Sequence, residues 1–167
     1  MSMSLPDAEK LLADLAAQMR PQVTPDTALV GLHTGGVWLA QRLHALLGLT
    51  QPAGSLDVSF YRDDYAKRGL SRDTRSSALP FDVEGRHLIL VDDVLHTGRT
   101  IRAALNELFD YGRPAKVELA VLIDRGGRQL PVAPTYCATR LDLAEGTRVK
   151  LAQDGERLAL RLLQEQE

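Results

Sequence analysis

The chain predicts an α/β fold, with a parallel central sheet flanked by helices. Three observations carry this. The apolar run 88–91 is continuous rather than alternating, as in a strand buried on both faces, and 117–123 is another largely apolar strand. Twice, at 28–43 and 88–109, a short apolar run leads through a glycine-containing loop into apolar residues at helical spacing. Strands alternate with helices through the middle of the chain, the pattern of a sheet covered on both faces. A length of 167 residues suits one domain with a real core, and no repeat or linker divides it.

Residues 7–19 read as the first helix. Asp7 after Pro6 suits its start, and Leu11, Leu12, Leu15, Ala16 and Met19 form one apolar face before Arg20-Pro21. Residues 28–32 read as a strand, His33-Thr34-Gly35-Gly36 as a loop, and a second helix starts at Val37 and stops near Leu47, before Gly48. Residues 56–61 alternate apolar and polar, as in a strand. Residues 62–80 hold Arg62, Lys67, Arg68, Arg72 and Arg75 with few apolar anchors. A loop this long is functional or disordered, and its five cations favour a lid over an anionic ligand.

The apolar run 88–91 ends in Asp92 and Asp93, then Val94, Leu95, His96, Thr97, Gly98, Arg99 and Thr100, then a helix at 101–109. Gly112-Arg113-Pro114 is a turn. The strand at 117–123 ends in Asp124-Arg125-Gly126-Gly127-Arg128. Residues 135–139 and 147–151 read as short strands, and 156–163 as a strand in preference to a helix, with a loose tail. The segments after Asp124, about 125–155, are expected to build a small hood.

In open α/β sheets, ligands bind beyond the carboxyl ends of the strands, which is where the 92–100 run lies. Gly98 allows unusual backbone angles and close approach of a ligand. Helix-opening amides suit a phosphate. Carboxylates instead accept hydrogen bonds from sugar hydroxyls or hold hydrated Mg²⁺. Together these groups describe a site for a ribose phosphate. Thr34, Gly35 and Gly36 are read as a second anion-binding nest.

Composition excludes other classes. The net charge of −2 lacks the basic excess of a duplex nucleic-acid binder. The single cysteine, Cys137, rules out an internal disulfide and gives no metal-site spacing. No stretch is long and apolar enough to span a membrane. The N-terminus lacks the charged start and apolar run of a signal peptide, so the expected location is the cytoplasm.

The 92–100 run resembles the phosphoribosyl-pyrophosphate (PRPP) signature of type I phosphoribosyltransferases. The likeness extends to Ser59-Phe60-Tyr61-Arg62-Asp63-Asp64, Gly112-Arg113-Pro114, Leu119-Ala120-Val121-Leu122-Ile123-Asp124-Arg125-Gly126 and Arg128-Gln129-Leu130-Pro131, in that order. Over about 29–136, and more weakly beyond, the chain is similar to the pyrimidine-operon regulator/uracil phosphoribosyltransferase family.

The resemblance implies transfer of 5-phosphoribose from PRPP to uracil, giving UMP and pyrophosphate, with Mg²⁺. Asp92 and Asp93 would contact the ribose and, through water, the metal. The 94–100 run would hold the 5′-phosphate. Thr34, Gly35, Gly36 and a lid arginine, Arg62 first, would hold pyrophosphate. Asp124 and Arg125 would lie at the base, whose edge backbone groups would read. A homo-oligomer, dimer or higher, is expected.

The chain departs from the family pattern in places. Thr34-Gly35-Gly36 stands where the family usually shows Thr-Arg-Gly. His33 stands in a lysine's place, and His96 in that of an aromatic or apolar residue. Family members that bind messenger RNA look basic along the first helix and the hood. Here the matching positions are Ala13, Asp14, Ala17, Gly127 and Ala133. Arg125, Arg128, Arg140, Arg148 and Lys150 remain as a basic stripe. Two alternatives stand beside the uracil reading: an RNA-binding attenuator sensing UMP and PRPP, with RNA binding expected to be weak or absent, and a purine phosphoribosyltransferase.

Overall fold

The computed structural model describes residues 4–58 and 77–164. Asp7 caps the first helix, α1 (Ala8–Met19), by accepting a hydrogen bond from the Glu9 N–H at 3.0 Å. Its expected apolar face is the buried one: Leu11, Leu12, Leu15, Ala16 and Met19. A short 3-10 turn, Arg20–Gln22, ends it at Pro21. Strand β1 (Ala28–Leu32) is buried throughout. Helix α2 (Gly35–Leu47) stops at Gly48, whose φ of 61° is the left-handed conformation that glycine adopts without steric cost.

Strand β2 (Gly54–Leu56) comes earlier and is shorter than the alternation at 56–61 suggested, and 59–61 lie outside the described residues. Strand β3 (His87–Leu95) precedes helix α3 (Arg99–Asp110). Strands β4 (Lys116–Asp124), β5 (Tyr136–Arg140), β6 (Thr147–Asp154) and β7 (Arg157–Gln164) follow. The last segment is a strand, as expected.

The main sheet is parallel, in the order β2-β1-β3-β4-β5. Alternate strand residues feed two cores. Leu29, Ile89, Val91, Ala120 and Leu122 pack with α1 and α2, while Val30, Leu88, Leu90, Leu119 and Val121 pack with Ile101, Ala104 and Leu108 of α3. The continuous apolar runs are therefore strands covered on both sides.

Both sheet edges are closed. On β5, the Gln18 amide of α1 donates to the Cys137 carbonyl at 2.9 Å and accepts from the Cys137 N–H at 3.3 Å, standing in for a neighbouring strand. On β2, Ser55 and Ala78 exchange two backbone hydrogen bonds of 2.8 and 2.9 Å. Most of the expected lid, 62–76, lies outside the described residues, but 77–80 return to the body at this edge. Ser77 donates to Glu107 of α3 at 2.6 Å.

The expected hood divides. β5 joins the main sheet, while β6 and β7 form an antiparallel hairpin packed on the α1 and α2 side through Val149, Leu151 and Leu158. Glu9 ties this assembly together. It accepts from Arg42 of α2 at 2.7 and 3.2 Å and from the Leu158 N–H at 3.3 Å, and the Arg42 hydrogen bonds hold its carboxyl below the usual value. Among the described residues no helix is long and apolar enough to cross a membrane.

Candidate active site

Strand β3 runs four residues beyond its apolar run 88–91. Asp92 and Asp93 therefore lie within the strand, not after it. Both are half-buried, and each accepts a hydrogen bond from the next backbone N–H at 2.9 Å. This local closure fixes the two carboxylates on rigid sheet.

Helix α2 begins at Gly35, two residues earlier than the sequence suggests, because its first turn lies directly against β3. A Cβ on Gly36 would sit 2.3 Å from the Val91 carbonyl oxygen, and one on Gly35 would sit 2.6 Å from Asp93 Oδ2. The two glycines let a helix N-terminus touch the carboxylate-bearing strand. That requirement adds to their expected part in an anion nest. Thr34 is the N-cap residue, without a side-chain cap hydrogen bond, and the His33–Thr34 peptide is cis.

The second helix N-terminus follows β3. Gly98, with φ 95°, is the N-cap of α3 and packs against Val132, where a Cβ would lie 3.3 Å away. Arg99 and Thr100 fall in the first helical turn rather than in a loop. Thr97 Oγ1 accepts from the Arg99 N–H at 3.2 Å. Among the expected phosphate residues, Leu95 turns its side chain inward. Its side chain is buried in the α3 core and its carbonyl accepts from the Arg125 N–H at 3.0 Å, so it serves packing and the sheet. Val94 packs half-buried against the opposite core.

Asp124 ends β4 beside Leu95. It is 2% exposed and paired with Arg128, whose guanidinium donates to both carboxylate oxygens at 2.8 and 2.6 Å. The Arg128 hydrogen bonds hold the Asp124 carboxyl below its usual value, and Asp124 in turn raises that of Arg128. The carboxylate expected at the base is thus engaged by the protein. Arg125 is half-buried, and its Nε is buried without a hydrogen-bond partner among the described residues. Arg62 lies outside the described residues. The clamp made by Arg128 escaped the sequence, where this residue read as part of a basic stripe. Its spacing from Asp124 carries no signal, because i, i+4 pairs meet on a helix and residues 125–128 are not helical.

The phosphoribosyl transferase domain model matches residues 4–151. The chain is 54% identical over 154 residues to the bifunctional protein PyrR of Ralstonia nicotianae, covering 90% of this chain and 88% of that protein. It is 52% identical over 153 residues to the protein of the same name from Pseudomonas paraeruginosa, covering 89% and 90%. In structure it resembles a purine phosphoribosyltransferase of Pyrococcus horikoshii, with TM-score 0.63, 24% identity and 84% and 86% of the two chains covered. It also resembles an HGPRT-ase of Leishmania tarentolae in complex with GMP, with TM-score 0.64, 20% identity and coverage of 86% and 83%. At these identities the structural likenesses speak to the fold.

Proposed function

The chain belongs to the phosphoribosyl transferase family and, within it, to the PyrR group, and from that premise we propose that it transfers 5-phosphoribose from PRPP to uracil, forming UMP and pyrophosphate. The observation that carries this reading is the meeting of two helix N-termini with the Asp92-Asp93 pair at the carboxyl end of β3. The chain is a phosphoribosyltransferase; uracil as the base is the proposal.

In this reading the C1–pyrophosphate bond breaks as the uracil nitrogen bonds C1, and positive charge develops on the ribose. The protein's part is positioning and electrostatics. Amides at 97–100 hold the 5′-phosphate. Asp92 and Asp93 accept hydrogen bonds from the ribose hydroxyls and lie where they offset charge at C1. Thr34, Gly35 and Gly36 face the leaving pyrophosphate. The orphaned Nε of Arg125 suits a bound nucleotide.

Mg²⁺ fits this donor set. Among the described residues no cluster of three or more His, Cys, Asp or Glu could cage a metal, and Mg²⁺ characteristically uses few carboxylates, keeping waters and substrate oxygens. Asp92 and Asp93 would hold it through water. It would neutralise pyrophosphate charge.

The test is PRPP-dependent pyrophosphate release with uracil, hypoxanthine, guanine, xanthine and orotate side by side. Uracil alone should support turnover. Turnover with a purine and none with uracil would replace this reading with the purine one.

The relatives' designation as bifunctional favours a second, regulatory role through RNA. Against strong binding, Ala13, Asp14 and Ala17 are exposed on α1, and Arg128 is engaged by Asp124. Lys and Arg contacts to phosphate dominate such affinity. Titration of pyrimidine-operon leader RNA with and without UMP should give weak binding. Tight binding enhanced by UMP would make the protein a regulator first.

A further inference from the structure

The Asp124–Arg128 pair is a polar cluster at the carboxyl end of β4 that the proposed chemistry leaves without a task. Its contacts run in one direction, from a buried anchor to a loop. Asp124 accepts from the Gly126 N–H at 2.9 Å as well as from Arg128, and Arg140 lies 3.6 Å away. Arg128 then reaches two backbone carbonyls. Its Nη1 donates to His96 O at 3.0 Å and its Nε to Val132 O at 2.8 Å. The neighbouring residues continue the pattern. The N–H groups of Gln129 and Leu130 both donate to Thr97 O, at 2.9 and 3.2 Å. The His96 ring shares a hydrogen bond with Gly126 O at 2.9 Å.

These contacts have a directional consequence. A trans peptide is planar, with its C=O and N–H on opposite sides. Drawing the His96 carbonyl toward Arg128 turns the Thr97 N–H the other way. Drawing the Thr97 carbonyl toward 129–130 does the same for the Gly98 N–H. Left alone, a loop containing Gly98 would have the freedom to present carbonyls, which repel an anion.

We infer that Arg128, anchored by Asp124, is a positioning residue: it orients the 96–98 loop so that amides rather than carbonyls face the 5′-phosphate. The inference rests on the proposed PRPP reading of that loop. It also gives Asp124 a task distinct from contact with the base.

The experiment compares wild type with Arg128→Lys, Arg128→Ala, Asp124→Asn and the double variant Asp124→Asn/Arg128→Gln. The double variant removes the unpaired buried charge that the alanine change leaves. Circular dichroism selects folded variants, and KM is measured separately for PRPP and uracil. Arg128→Ala and Asp124→Asn should each raise KM for PRPP at least tenfold and change KM for uracil less than threefold. The double variant should be no worse than Arg128→Ala, because both positions act through one contact. Arg128→Lys, with charge but no planar fork, should fall between wild type and alanine. Folded variants with unchanged KM for PRPP, or with uracil affinity lost in preference, would overturn the inference while leaving the PRPP reading standing. A wild-type protein that does not bind PRPP would overturn both.

Discussion

The two ends of the parallel sheet hold their polar side chains differently. At the amino end, Thr27, His87, Glu118 and Tyr136 close on one another. The Thr27 hydroxyl shares a hydrogen bond with His87 Nδ1 at 3.0 Å, His87 Nε2 pairs with Glu118, and the Tyr136 hydroxyl donates to both Glu118 oxygens at 3.1 and 3.2 Å. Burial, then Glu118, pushes the Tyr136 hydroxyl up to about 12. The set links the residue before β1 to β3, β4 and β5. At the carboxyl end Arg128 closes on Asp124, the helices α2 and α3 begin beside Asp92 and Asp93, and among the described residues Arg125 Nε has no hydrogen-bond partner. Buried polar groups carry a penalty unless paired. A closed set such as that at the amino end is therefore architecture, and the unpaired Arg125 Nε is a group at the carboxyl end that a ligand could complete.

Substitution at the open end should cost function without stability. Asp92→Asn and Asp93→Asn should each lower kcat/KM for PRPP by about 100-fold or more, the scale of removing a charge-stabilising group. The thermal midpoint should stay near that of wild type. Near wild-type turnover in both variants would remove these carboxylates from the site.

The closed end should behave in reverse. His87→Ala leaves Thr27 and Glu118 without their shared partner and should cost about 1–3 kcal/mol in urea unfolding. KM for PRPP should not move. A rise in that constant comparable to the loss from Asp93→Asn would erase the distinction between the two ends.

A smaller effect separates Asp124 from both. Its carboxyl is held below the usual 3.8, chiefly by the Arg128 hydrogen bonds. A depressed folded-state value contributes stability that is full above the ordinary carboxylate range and is lost as pH falls through the folded value. Asp124→Asn should therefore flatten the fall in stability below about pH 4. An unchanged acid limb in denaturant titrations would show that the pair contributes no acid-linked stability.

What was legible in the sequence followed from proximity along the chain. Asp92, Asp93, Thr97, Gly98 and Thr100 fall within nine residues, and the apolar run before them marks the strand that carries them. Residues 28–32 and the stop at Gly48 were equally readable, because period and punctuation are local signals. The Arg128 clamp was not, since its partners include the carbonyl of His96, 32 residues away, and a backbone oxygen has no sequence identity. Gly35 and Gly36 read as an anion nest in the sequence. Their close packing on Val91 and Asp93 is a distance across the sheet, which no spacing encodes. The pairing of His87 is illegible in the sequence because Thr27 and Glu118 meet it only when β1, β3 and β4 align. Leu95 stands among loop residues in the chain, yet its side chain faces the α3 core, a placement that sequence position does not encode.

Hydrogen exchange with and without PRPP and Mg²⁺ tests the division between the two ends most directly. The account predicts ligand-dependent protection of amides at 35–38 and 97–102, with little change at 27–28, 87–88, 116–118 and 135–136. Protection concentrated at the amino end, or none at either helix start under saturating PRPP, would contradict it.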